Sequence, residues 1–105
     1  MPLLRAMTDA PLDMIGVFQA DGDSMEPTIN NRDWVVVDRR RIQIANPGIY
    51  ALVHEGEGLL KRAQRHLESG TVTLTSDNPI YGPQIIKKPE RLNVVGRVFL
   101  SLRRH

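Results

Sequence analysis

Ser24 stands in the stretch QADGDSMEPTI, residues 19–29, between acidic neighbours, with Met25 after it and Pro27 three positions on. Serine is a favoured helix N-cap, and a cap accepts from the backbone N–H two or three residues further along. Pro27 has no N–H to give, and proline there also excludes the reciprocal capping box. Only the Glu26 N–H is left for a cap. The competing chemistry is nucleophilic: a hydroxyl held at the mouth of a helical turn, where unpaired N–H groups and the turn dipole stabilise developing negative charge. A serine hydroxyl is a poor nucleophile unaided, so this reading requires a base elsewhere in the chain.

The candidate base is Lys61, in LLKRAQ, residues 59–64. If this run is a strand, Leu59, Lys61 and Ala63 share one face, and Leu60, Arg62 and Gln64 share the other. Lys61 then lies on the less polar face. Desolvation disfavours the ammonium form of a lysine, and a neutral amine is a general base. The plainer alternative is a lysine whose stem covers apolar surface while its head reaches water.

Around these two residues the chain reads as a series of strands. MIGVFQA, WVVVD, IYALVH, LLKRAQ, TVTLTS and VVGRVFLSL are rich in β-branched, aromatic and aliphatic residues and are separated by turn residues. EGEG, residues 55–58, predicts a four-residue hairpin loop between IYALVH and LLKRAQ, and HLESG joins that strand to TVTLTS, so these three form a meander. ANPG and SDNPIYGP are turns dense in proline, glycine, asparagine and aspartate. The expected fold is all-β, with one short helical turn after Ser24. Residues 1–14 lack a clear period and are expected to be a lead-in, with the folded domain over 15–105.

Composition narrows the function classes. A chain of 105 residues that is 41% apolar supports one domain with one modest core. No apolar run approaches 18 residues and no charged-then-apolar leader is present, so neither a membrane span nor a secretory signal is expected. The absence of cysteine removes disulfides, thiol catalysis and thiolate metal sites, and it fits a cytoplasmic location. His54, His66 and His105 fall at no metal-ligand spacing, so neither metal nor cofactor is expected. The net charge is only +2, although the pI is near 9.4. Arg39–Arg40–Arg41 and Arg103–Arg104–His105 supply the basic clusters; neither is interleaved with aromatics, and both read as solvated turn and tail.

GDSMEPTI, WVVVD, IYAL, LLKR, SDNPIY and VVGRV, in this order from residue 22 to residue 98, resemble the C-terminal domain of the LexA and phage CI-like repressors. The spacing from Ser24 to Lys61 also suits that family. The resemblance implies a fold of short, strongly bent strands and a serine peptidase with a Ser/Lys dyad that cuts its own chain in an upstream linker. Ser24 matches the nucleophile and Lys61 the base, and the backbone N–H groups of Asp23 and Ser24 match the oxyanion hole. The resemblance further implies a homodimer, to which VVGRVFLSL contributes, operator DNA bound through an N-terminal helix-turn-helix domain, and a RecA filament as a candidate stimulus.

Three departures bear on that transfer. Neither Ala-Gly nor Cys-Gly, the usual cleaved dipeptides, occurs in the chain, so the substrate linker and the helix-turn-helix domain are expected outside it. The threonine that relatives often place two residues before the lysine is Leu59, which leaves the orientation of the amine to other groups. The glycine usual before the aspartate of the next strand is Arg32, so that turn is expected to be built differently. Two other functions compete: a dimerisation module of the same fold without catalysis, and a processing enzyme resembling type I signal peptidase. The latter fits poorly, because KRAQRHLESG replaces the glycine- and proline-rich stretch those enzymes carry after the lysine.

Overall fold

The computed structural model describes residues 9–103. Seven strands form one antiparallel sheet: β1 (Ile15–Gln19), β2 (Trp34–Asp38), β3 (Gly48–His54), β4 (Glu57–Arg65), β5 (Val72–Thr75), β6 (Gln84–Ile86) and β7 (Asn93–Leu102). The fold is all-β, as the strand patterns require. The spatial order is β1-β2-β7-β3-β4-β5-β6, so the last strand is inserted between β2 and β3. Single 3-10 turns occur at Leu12–Met14 and Pro89–Arg91.

Alternation along the central strands sends side chains into two separate cores. Tyr50 and Leu52 of β3 join Ala63, Val72, Leu74 and Ile86 on one side. Ala51 joins Val35, Val37, Met25 and Ile29 on the other, with Leu60 against them. Met25 and Ile29, the apolar pair after Ser24, therefore anchor the serine segment to the sheet. Leu59 packs on the first core beside buried Ala63, and Lys61, between them in sequence, pairs across the strands with Tyr50. This is the face on which the alternation of LLKRAQ places it.

Two local expectations are corrected, and one strand is added. The hairpin joining β3 to β4 is not a four-residue loop: His54 pairs with Glu57, which leaves Glu55 and Gly56 as a two-residue turn. Both have positive φ, 52° and 81°, the requirement of the primed turns that match strand twist, and Gly56 meets it without a Cβ. Arg32 does not rebuild its turn. It adopts φ 73°, the left-handed conformation that suits glycine, held by its N–H to the Ala20 carbonyl and by the Gln19 side chain on its own carbonyl. Strand β6 was hidden in a proline-rich stretch; it is three residues long and its Ile85 is exposed.

The expected lead-in over 1–14 lies outside the described residues as far as Thr8. Of its remainder, Ala10 is buried, Asp9 pairs with Arg40 at 2.8 Å, and the Met14 carbonyl accepts from the Arg39 N–H. His105 also lies outside the described residues. Among them, no helix is long and apolar enough to cross a membrane, and no group of three His, Cys, Asp or Glu residues converges.

Candidate active site

Ser24 is half-buried at the start of one hydrogen-bonded turn. The Glu26 N–H donates to the Asp23 carbonyl at 3.1 Å, and the Ile29 N–H donates to the Met25 carbonyl at 2.9 Å. The Glu26 N–H is thus satisfied by backbone, which removes the last partner a capping Ser24 had. Among the described residues the Ser24 hydroxyl makes no hydrogen bond, and neither do the N–H groups of Asp23, Ser24 and Met25. A hydroxyl beside unpaired N–H donors has the components of a nucleophile and an oxyanion site. The Glu26–Pro27 peptide is cis.

Lys61 is half-buried on β4, and its amine donates to Ser76 Oγ at 2.6 Å. The expected direct contact with Ser24 is not among the hydrogen bonds of the described residues. The Ser76 hydroxyl instead holds the amine, the role left open by Leu59. The amine also lies 5.8 Å from the centre of the Tyr81 ring, within cation–π range.

Both candidate residues meet the connection from β5 to β6, residues 76–83. Ser76 takes the Lys61 amine. The Asn78 N–H donates to the Ser24 carbonyl at 3.0 Å, and Asn78 Nδ2 donates to the Asp23 carbonyl at 3.0 Å. The Tyr81 hydroxyl donates to Asp23 Oδ1 at 2.5 Å, and the acceptor carboxylate raises the phenol pKa by favouring its protonated form. Asp77 accepts from Arg62 Nε at 2.9 Å and Nη2 at 2.8 Å, and from the Thr28 hydroxyl at 2.6 Å. The paired guanidinium holds the Asp77 carboxyl below the ordinary aspartate range. SDNPIY reads from sequence as a turn, but it is the staple between the serine turn and β4. No periodicity signals this, because Ser76 and Lys61 meet only once β4 and β5 have paired.

A cavity of about 490 Å³ opens beside Ser24, lined by Phe18, Met25, Ala51, Leu59, Leu60 and other residues. Strand β5 pairs only with Arg62–Arg65 of β4, so on that side residues 57–61 have no strand partner among the described residues. Ser24, unpaired N–H groups and an open strand edge meet at this cleft, and the connection from β5 to β6 ties the serine turn to the Lys61 amine.

The sequence profile of the Peptidase S24-like family matches residues 1–99. The chain belongs to this family. S24-like proteins are serine peptidases, in keeping with a cleft built around Ser24. An uncharacterised HTH-type transcriptional regulator of Haemophilus influenzae is 39% identical over 90 residues, covering 82% of this chain and 36% of the relative. The LexA repressor of Bartonella quintana is 33% identical over 103 residues, covering 90% of this chain and 41% of the relative. This S24-like chain thus spans about two fifths of the length of these curated relatives.

Proposed function

We propose that this S24-like domain is the regulatory part of a LexA-type transcriptional repressor, a Ser/Lys peptidase that cuts a linker upstream of itself. The observation that carries the reading is the loop 76–81, which bonds the backbone of Asp23 and Ser24 at one end and the Lys61 amine through Ser76 at the other.

A neutral Lys61 amine has two N–H groups and one lone pair. Donating one N–H to Ser76 leaves the lone pair for the Ser24 proton. Ser24 Oγ attacks the scissile carbonyl carbon as Lys61 takes that proton. The oxyanion forms against the N–H groups of Asp23 and Ser24, a contribution worth about 10²–10³ in rate per donor. The protonated lysine then delivers its proton to the departing amine, and water hydrolyses the acyl-enzyme. The substrate is an extended segment carrying an Ala-Gly bond, lying along the open edge of β4, where main-chain hydrogen bonds hold it and the apolar cavity takes a side chain.

The test is cleavage of an added Ala-Gly peptide, or of the longer natural chain. Ser24→Ala and Lys61→Ala should abolish it. Lys61→Arg should be equally inactive, because arginine keeps its proton. Wild-type rates in Lys61→Arg would overturn the assignment of the base.

One observation favours a second reading: the amine is engaged by Ser76 and not by Ser24. If the wild type cuts nothing up to alkaline pH while remaining folded and dimeric, the domain is a dimerisation module without catalysis. In either reading it self-associates, through the outer face of β1, β2 and β7. Trp34 pairs across the strands with Leu102, and Val36 with Val17 and Leu100, so these apolar residues share one face. Val17, Trp34 and Leu102 remain 61%, 44% and 49% exposed.

A further inference from the structure

The connection from β2 to β3 and the strand β7 enclose a concavity of about 430 Å³, whose lining includes Arg40, Arg41, Gln43, Asn46, Tyr50 and Arg97. Its three guanidinium groups are not equivalent. Arg40 is neutralised: its side chain donates to both oxygens of Asp38, at 3.1 and 2.9 Å, and to Asp9 at 2.8 Å. Arg41 reaches only to 3.7 Å of the same Asp38 and is 63% exposed. Arg97 has no carboxylate partner among the described residues, although Asp38 is its cross-strand neighbour, because Arg40 occupies that carboxylate.

Arg97 is nonetheless held in place. Its Nη2 donates to the Pro47 carbonyl at 3.1 Å, and its guanidinium carbon lies 6.0 Å from the centre of the Tyr50 ring. Gly48 makes this possible: a Cβ there would stand 2.8 Å from Arg97 Nε and 2.9 Å from Nη2. The guanidinium therefore lies against bare backbone, with one donor used and the others unpaired among the described residues. A fixed, unpaired arginine beside a second, weakly paired one repels it unless an anion sits between them. The planar fork of donors matches phosphate oxygens, and the Gln43 and Asn46 amides add donors in the same concavity.

We propose that this concavity binds a phosphate group, with Arg97 as its fixed anchor and Arg41 as the arm that closes on it. The phosphate is either free, as inorganic phosphate or a nucleotide, or part of a nucleic-acid backbone. The site is separate from the Ser24 cleft and does not depend on whether the domain cuts peptides.

Inorganic phosphate is titrated into the protein at constant ionic strength, with chloride as the balancing anion, and the Arg97 Nε–H and the backbone amides of residues 39–48 are followed by NMR. Saturable shifts are expected, with Arg97→Gln weakening binding about tenfold, the usual effect of losing one charge-assisted contact. Arg41→Gln, a change at an exposed side chain, should weaken it severalfold. Gly48→Ala keeps every charge but displaces the guanidinium, so it should also weaken binding. A short DNA duplex forms the second arm. If the phosphate belongs to a backbone, the duplex binds more tightly than inorganic phosphate, and its log–log salt slope falls by roughly 0.9 on loss of Arg97. If the phosphate is free, inorganic phosphate or a nucleotide binds the more tightly. Shifts that fail to saturate, that chloride reproduces, or that persist unchanged in both Arg97→Gln and Gly48→Ala would overturn the proposal.

Discussion

The value of Lys61 as a base depends on where its lone pair points, and in this structure the Ser76 hydroxyl sets that direction. Ser76→Ala should therefore lower the cleavage rate about tenfold or more, out of the roughly 10²–10⁴ that a positioned base supplies. It should cost only about 1 kcal/mol of stability, the usual net worth of one such hydrogen bond. The disparity between the two effects is diagnostic, since a merely structural serine would move stability and leave the pH–rate profile in place. Ser76→Thr should retain most activity. Leu59→Thr should restore part of it to Ser76→Ala, by presenting a hydroxyl to the amine from along β4. Failure of both rescues would remove Ser76 from the site. At this scale the uncapped state of Ser24 was legible in the sequence, because Pro27 leaves its hydroxyl almost nothing to cap and the Glu26 N–H goes to the Asp23 carbonyl. The partner of the Lys61 amine was not, since Ser76 lies fifteen residues from Lys61 and its type says only that it suits a turn.

The loop 76–83 makes most of its attachments with side chains, among them the two-bond pairing of Asp77 with Arg62. The carboxyl has its pKa lowered, first by the hydrogen bond from Arg62, with the Thr28 hydroxyl adding to it. A carboxyl with a depressed folded-state pKa contributes stability that is fully present above its unfolded value and is lost as pH falls through the folded one. The contribution of Asp77 should therefore be constant from neutral pH down to about its ordinary value of 3.8, and disappear below it. Urea midpoints measured from pH 7 to pH 2 should show wild type and Asp77→Asn converging only in that acid range; a constant gap would exclude the pairing as its cause. The strands themselves were readable from alternation and β-branched content, because each buries a face against one of two cores. What alternation does not encode is partnership. The position of β7 between β2 and β3 joins residues forty or more apart in sequence, and β6 is too short and too exposed to carry a pattern.

At the scale of the molecule, the face carrying Val17, Trp34, Leu100 and Leu102 is where a second copy should dock. Sedimentation at micromolar concentration should show a dimer, and Trp34→Lys combined with Leu102→Lys should give a folded monomer. A wild-type protein that stays monomeric to near-millimolar concentration would remove this claim. The place of β7 in the sheet bears on how the molecule is made. Until residues 93–102 leave the ribosome, β2 has no neighbour on one side and β3 none on the other, so no strand pairing joins the serine-bearing half to the lysine-bearing half. Closing such long-range pairings is slow and comes late. If the domain cuts as proposed, translation sets the timing: a chain stopped at Leu92 carries Ser24 and Lys61 but should be digested rapidly by added protease, with no cutting of its own.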